Sequence, residues 1–397
     1  MVIAKQPTRR NNLMSLTIPQ IELPFQLSLF KTSTLETLSS ENLSYPVDVK
    51  LKQFMALSSA IFQKLGTKPH SLMAVNRTGR PALPYDAMFL ASLARCFYGI
   101  DTVKHLVGFL GTNGGLREYC GFSRVPSEAT FSRFLATVSS SMDMNDVIGC
   151  LASGFYGDSL VGNICRDSTT MAANDKAVKT VGQVAKSTVK KKRGRKKKGS
   201  LESLEYLKEQ QEKEANDPIN RQTSQTPEES IALLNRNCAF GAKTNAKGVP
   251  EYAKGYKAHI DVTDNGVPTA FVITGANVHD SRVSIPLEQL TGRCVTSLYT
   301  LSDSGYYSTK IDSFIRLQGK VPLTDPAKRR NSVPFAPHEA LHFKARTTVE
   351  RTNSQLKLYY LPQIFTHGYS KFKFVVGMAL ALISVIQISR IAAARQA

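Results

Sequence analysis

"YKAHIDVTDNGVPTAFVITG" occupies residues 256–275, and its alternation of strand and turn formers decides the expected fold. Its two flanks, residues 256–264 and 267–275, are rich in β-branched, aromatic and other apolar side chains. Between them stand Asn265 and Gly266, the pair that a two-residue hairpin turn favours. The segment therefore predicts a β-hairpin.

Other short apolar runs around this hairpin predict further strands and helices. The strands are expected in "VGNICRD" (161–167), "SLYTLSD" (297–303) and "KVPLTD" (320–325). The helices are expected at 279–290 with a break or first turn at Pro286, at 308–319 closed by Gly319, and at about 338–360. This order predicts an α/β domain, a mixed sheet flanked by helices, over residues 159–397.

The chain before this domain has a different pattern. Residues 1–45 predict an irregular leader, and residues 46–158 predict an all-α N-terminal domain. Its last helix, within 125–141, presents Arg133 outward, as a helix-turn-helix DNA reader would. Ordinary helix packing is the alternative interpretation of that segment.

A charged insertion, at about 175–230, interrupts the α/β domain between its first strand and the hairpin. It contains "KKKRGRKKK" (190–198), in which eight of nine residues are basic. The candidate DNA-binding residues there are Lys190, Lys191, Lys192, Arg193, Arg195, Lys196, Lys197 and Lys198. A solvated tail is the alternative for such a run.

The bulk composition narrows the class of partner. The formal net charge is +20 and the pI is about 9.7, which favours a polyanion, nucleic acid before membrane. None of the six cysteines lies in a C-x-x-C pair, which predicts reduced thiols in an intracellular protein. The most apolar run, 374–388, is short for a membrane span and predicts a core helix; no signal peptide is expected.

Three acidic residues are candidates for one site. Asp167 and Asp303 each end a predicted strand, where ligands gather in open sheets with parallel strands. Glu350 lies in "RTTVERTNSQLK" (346–357), on a helical stripe shared with Arg346, Asn353 and Lys357. Three carboxylates without a Cys/His cluster suit two Mg²⁺ or Mn²⁺ ions in phosphodiester chemistry.

Each acidic residue also has a simpler explanation. Asp167 or Asp303, taken alone, fits a turn former or helix cap, and Asp280 in "NVHDS" is expected to be a helix cap. Arg346 and Glu350 could form an i,i+4 surface pair. The metal-site interpretation is stronger for the three acids together than for any one of them.

Taken together, these motifs resemble the DDE transposases of bacterial insertion sequences, which have an RNase H-like catalytic domain. The similarity runs from about 80 to 390. The family signature Y-x2-R-x3-E-x6-K reads here Phe343, Arg346, Glu350 and Lys357, so the tyrosine hydroxyl is missing. "GYKAHIDVTDNGVPTAFVITGANVHDS" (255–281) is similar to the family's hairpin segment and includes Lys257.

The resemblance implies a function. Asp167, Asp303 and Glu350 would be the catalytic acids holding two Mg²⁺ (or Mn²⁺) ions, while Arg346, Lys357 and Lys257 would contact DNA. The substrates would be the terminal inverted repeats of the element and a target DNA. A dimer on DNA in the bacterial cytoplasm, associated with the nucleoid, is expected.

Three other functions remain open on sequence. A metal-dependent nuclease without strand transfer would use the same acids, and an inactive DNA-binding relative would retain the fold. An aspartic protease is suggested by "DST" (167–169) and "DSG" (303–305), although it requires two all-β lobes and the first motif lacks the glycine.

Overall fold

The structure is a computed structural model that describes residues 43–65, 83–178, 208, 216–244, 248–325, 334–361 and 364–396. The predicted leader therefore lies almost entirely outside the described residues, and the basic run 190–198 lies wholly outside them. Six free cysteines are present, as the absence of C-x-x-C pairs indicated.

Helices form the N-terminal part. They are α1 (Val49–Leu65), α2 (Tyr85–Phe97), α3 (Val103–Thr112), α4 (Gly114–Tyr119), α5 (Glu128–Ser141) and α6 (Met144–Tyr156). Side-chain caps explain where several of them begin: the hydroxyl of Thr102 accepts from the His105 amide and that of Ser127 from the Thr130 amide. The predicted all-α character of this part and its helix within 125–141 are confirmed, but α6 follows that helix, so it is not the last one as predicted.

A six-stranded mixed sheet follows. Its strands are β1 (Val161–Ala172), β2 (Ala239–Thr244), β3 (Pro250–Thr263), β4 (Pro268–Gly275), β5 (Ser297–Ser302) and β6 (Val321–Thr324). The order is β2-β3-β1-β5-β6, with β4 also paired to β3. β1, β5 and β6 are parallel, whereas β3 is antiparallel to β1, β2 and β4. The predicted hairpin is β3–β4, with Gly266 at a φ of 80° in its turn.

Helices lie beside this sheet. They are α7 (Pro218–Gln222), α8 (Pro227–Ala232), α9 (Ser281–Gly292), α10 (Thr309–Leu317), α11 (Pro337–Phe343), α12 (Thr347–Gln355) and α13 (Tyr369–Gln396). Short 3₁₀ turns cover Ser304–Tyr306 and Lys344–Arg346, and a π-helical turn covers Leu356–Tyr360. The predicted α/β class is confirmed.

The apolar helix α13 is the centre of the hydrophobic core. It contacts α1, α2, α5 and α6 on the N-terminal side and β4 on the sheet. By length and composition it is apolar enough to cross a membrane, but 72% of its most apolar window is buried inside the protein. One hydrophobic cluster consequently joins the N-terminal helices to the sheet, and the predicted domain division at residue 158 stays a prediction.

Pro286 lies inside α9, so both expectations for it, a break or a position in the first turn, are wrong. A proline has no amide to donate to the carbonyl four residues earlier, which here belongs to Arg282. The buried Gln222 at the end of α7 donates its Nε2 to that carbonyl at 2.7 Å. The helix therefore continues through the proline, and α7 is attached to it.

The start of the charged insertion is held by Asp175. Its carboxylate accepts a hydrogen bond from the Tyr256 hydroxyl at 2.6 Å and from the Gly368 amide at 3.0 Å. The chain is thus attached to β3 and to the start of α13 before it leaves the described residues at 178, and it is described continuously again from 216 to Gln222.

Candidate active site

Asp167 and Asp303 lie side by side on parallel strands. Arg166 pairs with Ser302 in the last step of the β1–β5 ladder, so the two aspartates are the next residues on each strand. Asp303 follows the end of β5, as predicted. Asp167 does not end its strand, because β3 extends the antiparallel ladder along β1 as far as Ala172.

Glu350 and Arg346 form an ion pair on the helix that covers β1. Arg346 Nη2 lies 2.7 Å from Glu350 Oε1, and the Arg346 guanidinium lies over the Phe343 ring at 5.8 Å. The Glu350 side chain is 49% exposed and that of Arg346 is 21% exposed. Val349, on the opposite side of α12, is fully buried. The i,i+4 pair anticipated as the simpler explanation is present.

Asn353 connects this helix to the first aspartate. Its Nδ2 donates to Asp167 Oδ2 at 3.0 Å, and its side chain is buried. Within the described chain, Asn353 Oδ1 is buried without a hydrogen-bond partner. The sequence placed Asn353 on the acidic stripe but gave no contact for it, because the partner is 186 positions away.

The neighbouring charged side chains of the site change the pKa of Asp167. Burial raises the pKa of this carboxyl group, and the nearby Asp303 and Glu350 carboxylates raise it further, whereas the Ser168 amide and Arg346 lower it. The three acids and the arginine therefore lie near enough to interact electrostatically, although they come from separate elements of the fold.

The 3₁₀ turn that follows Asp303 carries Tyr306 into a buried hydrogen bond. The Asp303 carboxylate accepts from the Ser304 amide at 2.7 Å, which begins the 3₁₀ turn. The Tyr306 hydroxyl at the end of this turn lies 3.1 Å from His259 Nδ1. Burial lowers the pKa of His259 to about 3, so its ring is neutral and supplies hydrogen bonds rather than charge.

Asp280 differs from its expected role as a helix cap. It immediately precedes α9, but its side chain makes no capping hydrogen bond. Its Oδ1 instead accepts from Lys257 Nζ at 2.9 Å and lies 3.6 Å from His259 Nδ1. Lys257 also donates to the carbonyl of Val278. Lys257, predicted to contact DNA, thus has these two protein partners.

The other predicted DNA contacts occupy different parts of the molecule. Lys357 lies in the π-helical turn and lines a cavity of about 350 Å³. The remaining lining residues are Thr170, Met171, Ala172, Asn174, Leu361, Ile364 and Phe365. Arg133 is exposed on α5. The structure brings Arg346 to the acids, while Arg133 belongs to the N-terminal helices.

The opposite face of β1 holds a buried ion cluster, formed by Arg166, Asp261, Glu288 and Lys320. Arg166 donates to both carboxylate oxygens of Asp261, at 2.8 and 2.7 Å, and to Glu288 at 2.9 Å. Lys320 donates to the other oxygen of Glu288 at 2.8 Å. Two cations thus face two anions. Burial acts to raise the pKa of Glu288, but Arg166 and Lys320 outweigh it and lower that pKa.

Whether the site fits a metal ion is judged by the kind of donor atoms that lie near Asp167. In the part of the chain that the structure describes, no group of three or more His, Cys, Asp or Glu side chains could hold a metal ion. The nearby donors are nevertheless all oxygens: three carboxylates and the partnerless Asn353 Oδ1. Such a set suits Mg²⁺ or Mn²⁺.

Two family models match the chain. Residues 167–384 match the family described as transposase DDE domain, and residues 49–137 match the one described as transposase domain (DUF772). The first match covers more than half of the 397 residues, so the chain belongs to the DDE transposase family, whose catalytic domain is RNase H-like. No curated protein and no solved structure matches the chain.

Proposed function

We propose that this transposase binds the ends of a bacterial insertion sequence and catalyses cleavage and transfer of DNA strands with Asp167, Asp303 and Glu350. The observation that carries the proposal is that Asp303 and Glu350 lie near enough to Asp167 to raise its pKa, inside the segment that matches the DDE domain. The positive charge of the chain supports a DNA substrate.

Asp167, Asp303 and Glu350 would hold two Mg²⁺ or Mn²⁺ ions. When bound, such ions activate a nucleophile and stabilise the leaving oxygen of a phosphodiester. The first nucleophile would be water and the second a 3′-hydroxyl. Asn353 would keep the Asp167 carboxylate oriented through its 3.0 Å hydrogen bond.

Arg346 and Lys357 would contact phosphates. Arg346 already lies within the electrostatic environment of Asp167, so a scissile phosphate near the acids would meet its guanidinium. Lys357 lines the cavity beside the end of β1. Lys257, Arg133 and the basic residues of 190–198 are proposed as further DNA contacts.

A strand-transfer assay tests the proposal. It combines the purified chain, Mg²⁺ and labelled DNA taken from the sequence on either side of the gene. Strand cleavage followed by joining to an unlabelled target plasmid is expected, and omission of the metal should stop both steps. Cleavage without joined product would favour the metal-dependent nuclease. Binding without cleavage would favour an inactive DNA-binding relative.

The partner assignments are part of the same proposal. The DNA ends and target are the substrates, two copies act together on paired ends, and no membrane is involved. The site of action is the cytoplasm, at the nucleoid. The protease alternative has lost its support, because the described chain forms one mixed sheet with helices rather than two all-β lobes.

A further inference from the structure

A two-stranded ribbon extends from the sheet beside the acids. Gly255 pairs with Ala172 of β1 on one side and with Ala239 of β2 on the other. From Gly255 back to Pro250, within the described pairing, β3 is bonded to β2 beyond the ends of β1 and β4. We call residues 239–244 and 250–255 the β2–β3 ribbon.

One face of the β2–β3 ribbon exposes two aromatic rings. Phe240 is opposite Lys254, and Ala242 is opposite Tyr252, so these four side chains project from the same face. Phe240 is 60% exposed and Tyr252 is 72% exposed. Exposed aromatic residues that share a face are a mark of an interaction surface.

The charge of this segment indicates what the surface binds. Residues 239–255 contain three lysines, Lys243, Lys247 and Lys254, against one glutamate, Glu251. A second copy of this chain would bring a ribbon with the same excess of lysines, which disfavours a direct contact between two ribbons. A polyanion would be attracted, and a two-stranded ribbon has the width that the major groove of duplex DNA admits.

The position of the ribbon agrees with DNA held at the acids. Asp167 pairs with Ile260 of β3, and Tyr252 lies eight residues before Ile260, on the side towards which β1 and β5 run. Eight residues of strand span about 27 Å, a length equal to about eight base-pair steps. A duplex whose backbone lies at the acids can therefore also reach the ribbon.

We infer that the β2–β3 ribbon docks in a groove of the duplex next to the cleavage position, with Phe240 and Tyr252 against the bases or sugars and Lys254 towards phosphate. The inference rests on the proposed function for the placement of DNA at the acids. The β2–β3 ribbon would be a second DNA-contact surface of the catalytic domain, separate from the acidic residues.

The test compares the full-length chain with the double variant Phe240→Ser, Tyr252→Ser. The matched control is Leu317→Ser, because Leu317 is 87% exposed at the end of α10, away from the ribbon. The probe is a fluorescent 30-base-pair duplex of mixed sequence in EDTA, together with one of its strands alone. Fluorescence anisotropy is read at several salt concentrations.

We expect the double variant to bind the duplex about tenfold more weakly, and the control to stay within about twofold of the unmodified chain. Lys254→Gln should lower the slope of log affinity against log salt by about one unit, since one phosphate contact is removed. This second variant tests the ribbon even if the double variant does not fold, which circular dichroism reports.

Unchanged duplex affinity in both variants would overturn the inference. So would a loss confined to the single strand, or a fall in particle mass by light scattering that identified the ribbon as a contact between copies. If the unmodified chain binds no duplex, the proposed function fails as well. If it binds and cleaves, and the ribbon variants do so equally, the ribbon inference alone fails.

Discussion

Arg166 and Asp167 are consecutive residues of β1, yet their side chains enter opposite electrostatic environments. Arg166 meets Asp261 and Glu288 in a buried cluster whose charges are balanced by Lys320. Asp167 faces Asp303 and Glu350, and its pKa is raised by burial and by these two carboxylates. One face of the strand stabilises the sheet, while the other gathers three carboxylates, one of which is paired with Arg346.

The largest expected effect is a loss of DNA cleavage when an acid on the Asp167 face of β1 is replaced. Asp167→Asn, Asp303→Asn and Glu350→Gln should each reduce metal-dependent DNA cleavage about a thousandfold, because neutral isosteres bind divalent ions poorly. Plasmid nicking with Mg²⁺ measures it. Asp158→Asn, an exposed acid just before β1, is the matched control and should cleave normally. Substantial cleavage by any one of the three variants would remove that residue from the site.

Arg166→Met tests the other face through stability. It leaves Asp261 and Glu288 buried beside a single lysine, which should lower the free energy of unfolding by about 3–5 kcal/mol. Urea denaturation measures this change. Arg346→Met removes a cation from a partly exposed pair and should change that free energy by less than about 1 kcal/mol. Equal losses in the two variants would contradict the distinction between the faces.

Asn353→Ala should give a smaller effect that is specific to the acids. Without its hydrogen bond the Asp167 carboxylate is less well oriented, so cleavage should fall about tenfold and the half-saturating Mg²⁺ concentration should rise. Ser354→Ala, one residue further along α12, is the control. An unchanged Mg²⁺ dependence would mean that Asn353 contributes only to packing.

The smallest expected effect is on how thermal stability depends on pH. Because the pKa of Asp167 is raised in the folded state, that state binds a proton more tightly than the unfolded chain, and this contribution to stability is lost as pH rises. Asp167→Asn should therefore raise Tm by about 1–2 °C at neutral pH. The difference should vanish below the ordinary aspartate value of 3.8. Differential scanning calorimetry at both pH values checks the sign.

The local elements of the fold could be predicted from the sequence. The hairpin was predicted because Asn265 and Gly266 fix its turn, and Asp303 was placed at a strand end because its apolar run stops there. Strand β2, by contrast, was missed. Its residues, "AFGAKT", contain little β-branched character, and their pairing with β3 defines the strand.

Contacts between distant segments were not predictable from one sequence. The bond from Asn353 to Asp167 and the ion pairs of Arg166 join residues far apart in the chain, and no local period marks them. For Arg166 one signal was available, since an arginine inside an apolar strand must find anionic partners if it is buried. Which acids those were depended on the register of β1 with β3.

The two attachments around the charged insertion have a consequence for remodelling the protein. Asp175 fixes the chain where it leaves the sheet, and Gln222 fixes it to α9 where it returns. The connection between them is therefore attached to the folded domain at both ends. The segment between these two anchors is therefore the natural place to graft a foreign DNA-targeting module without moving the acidic residues.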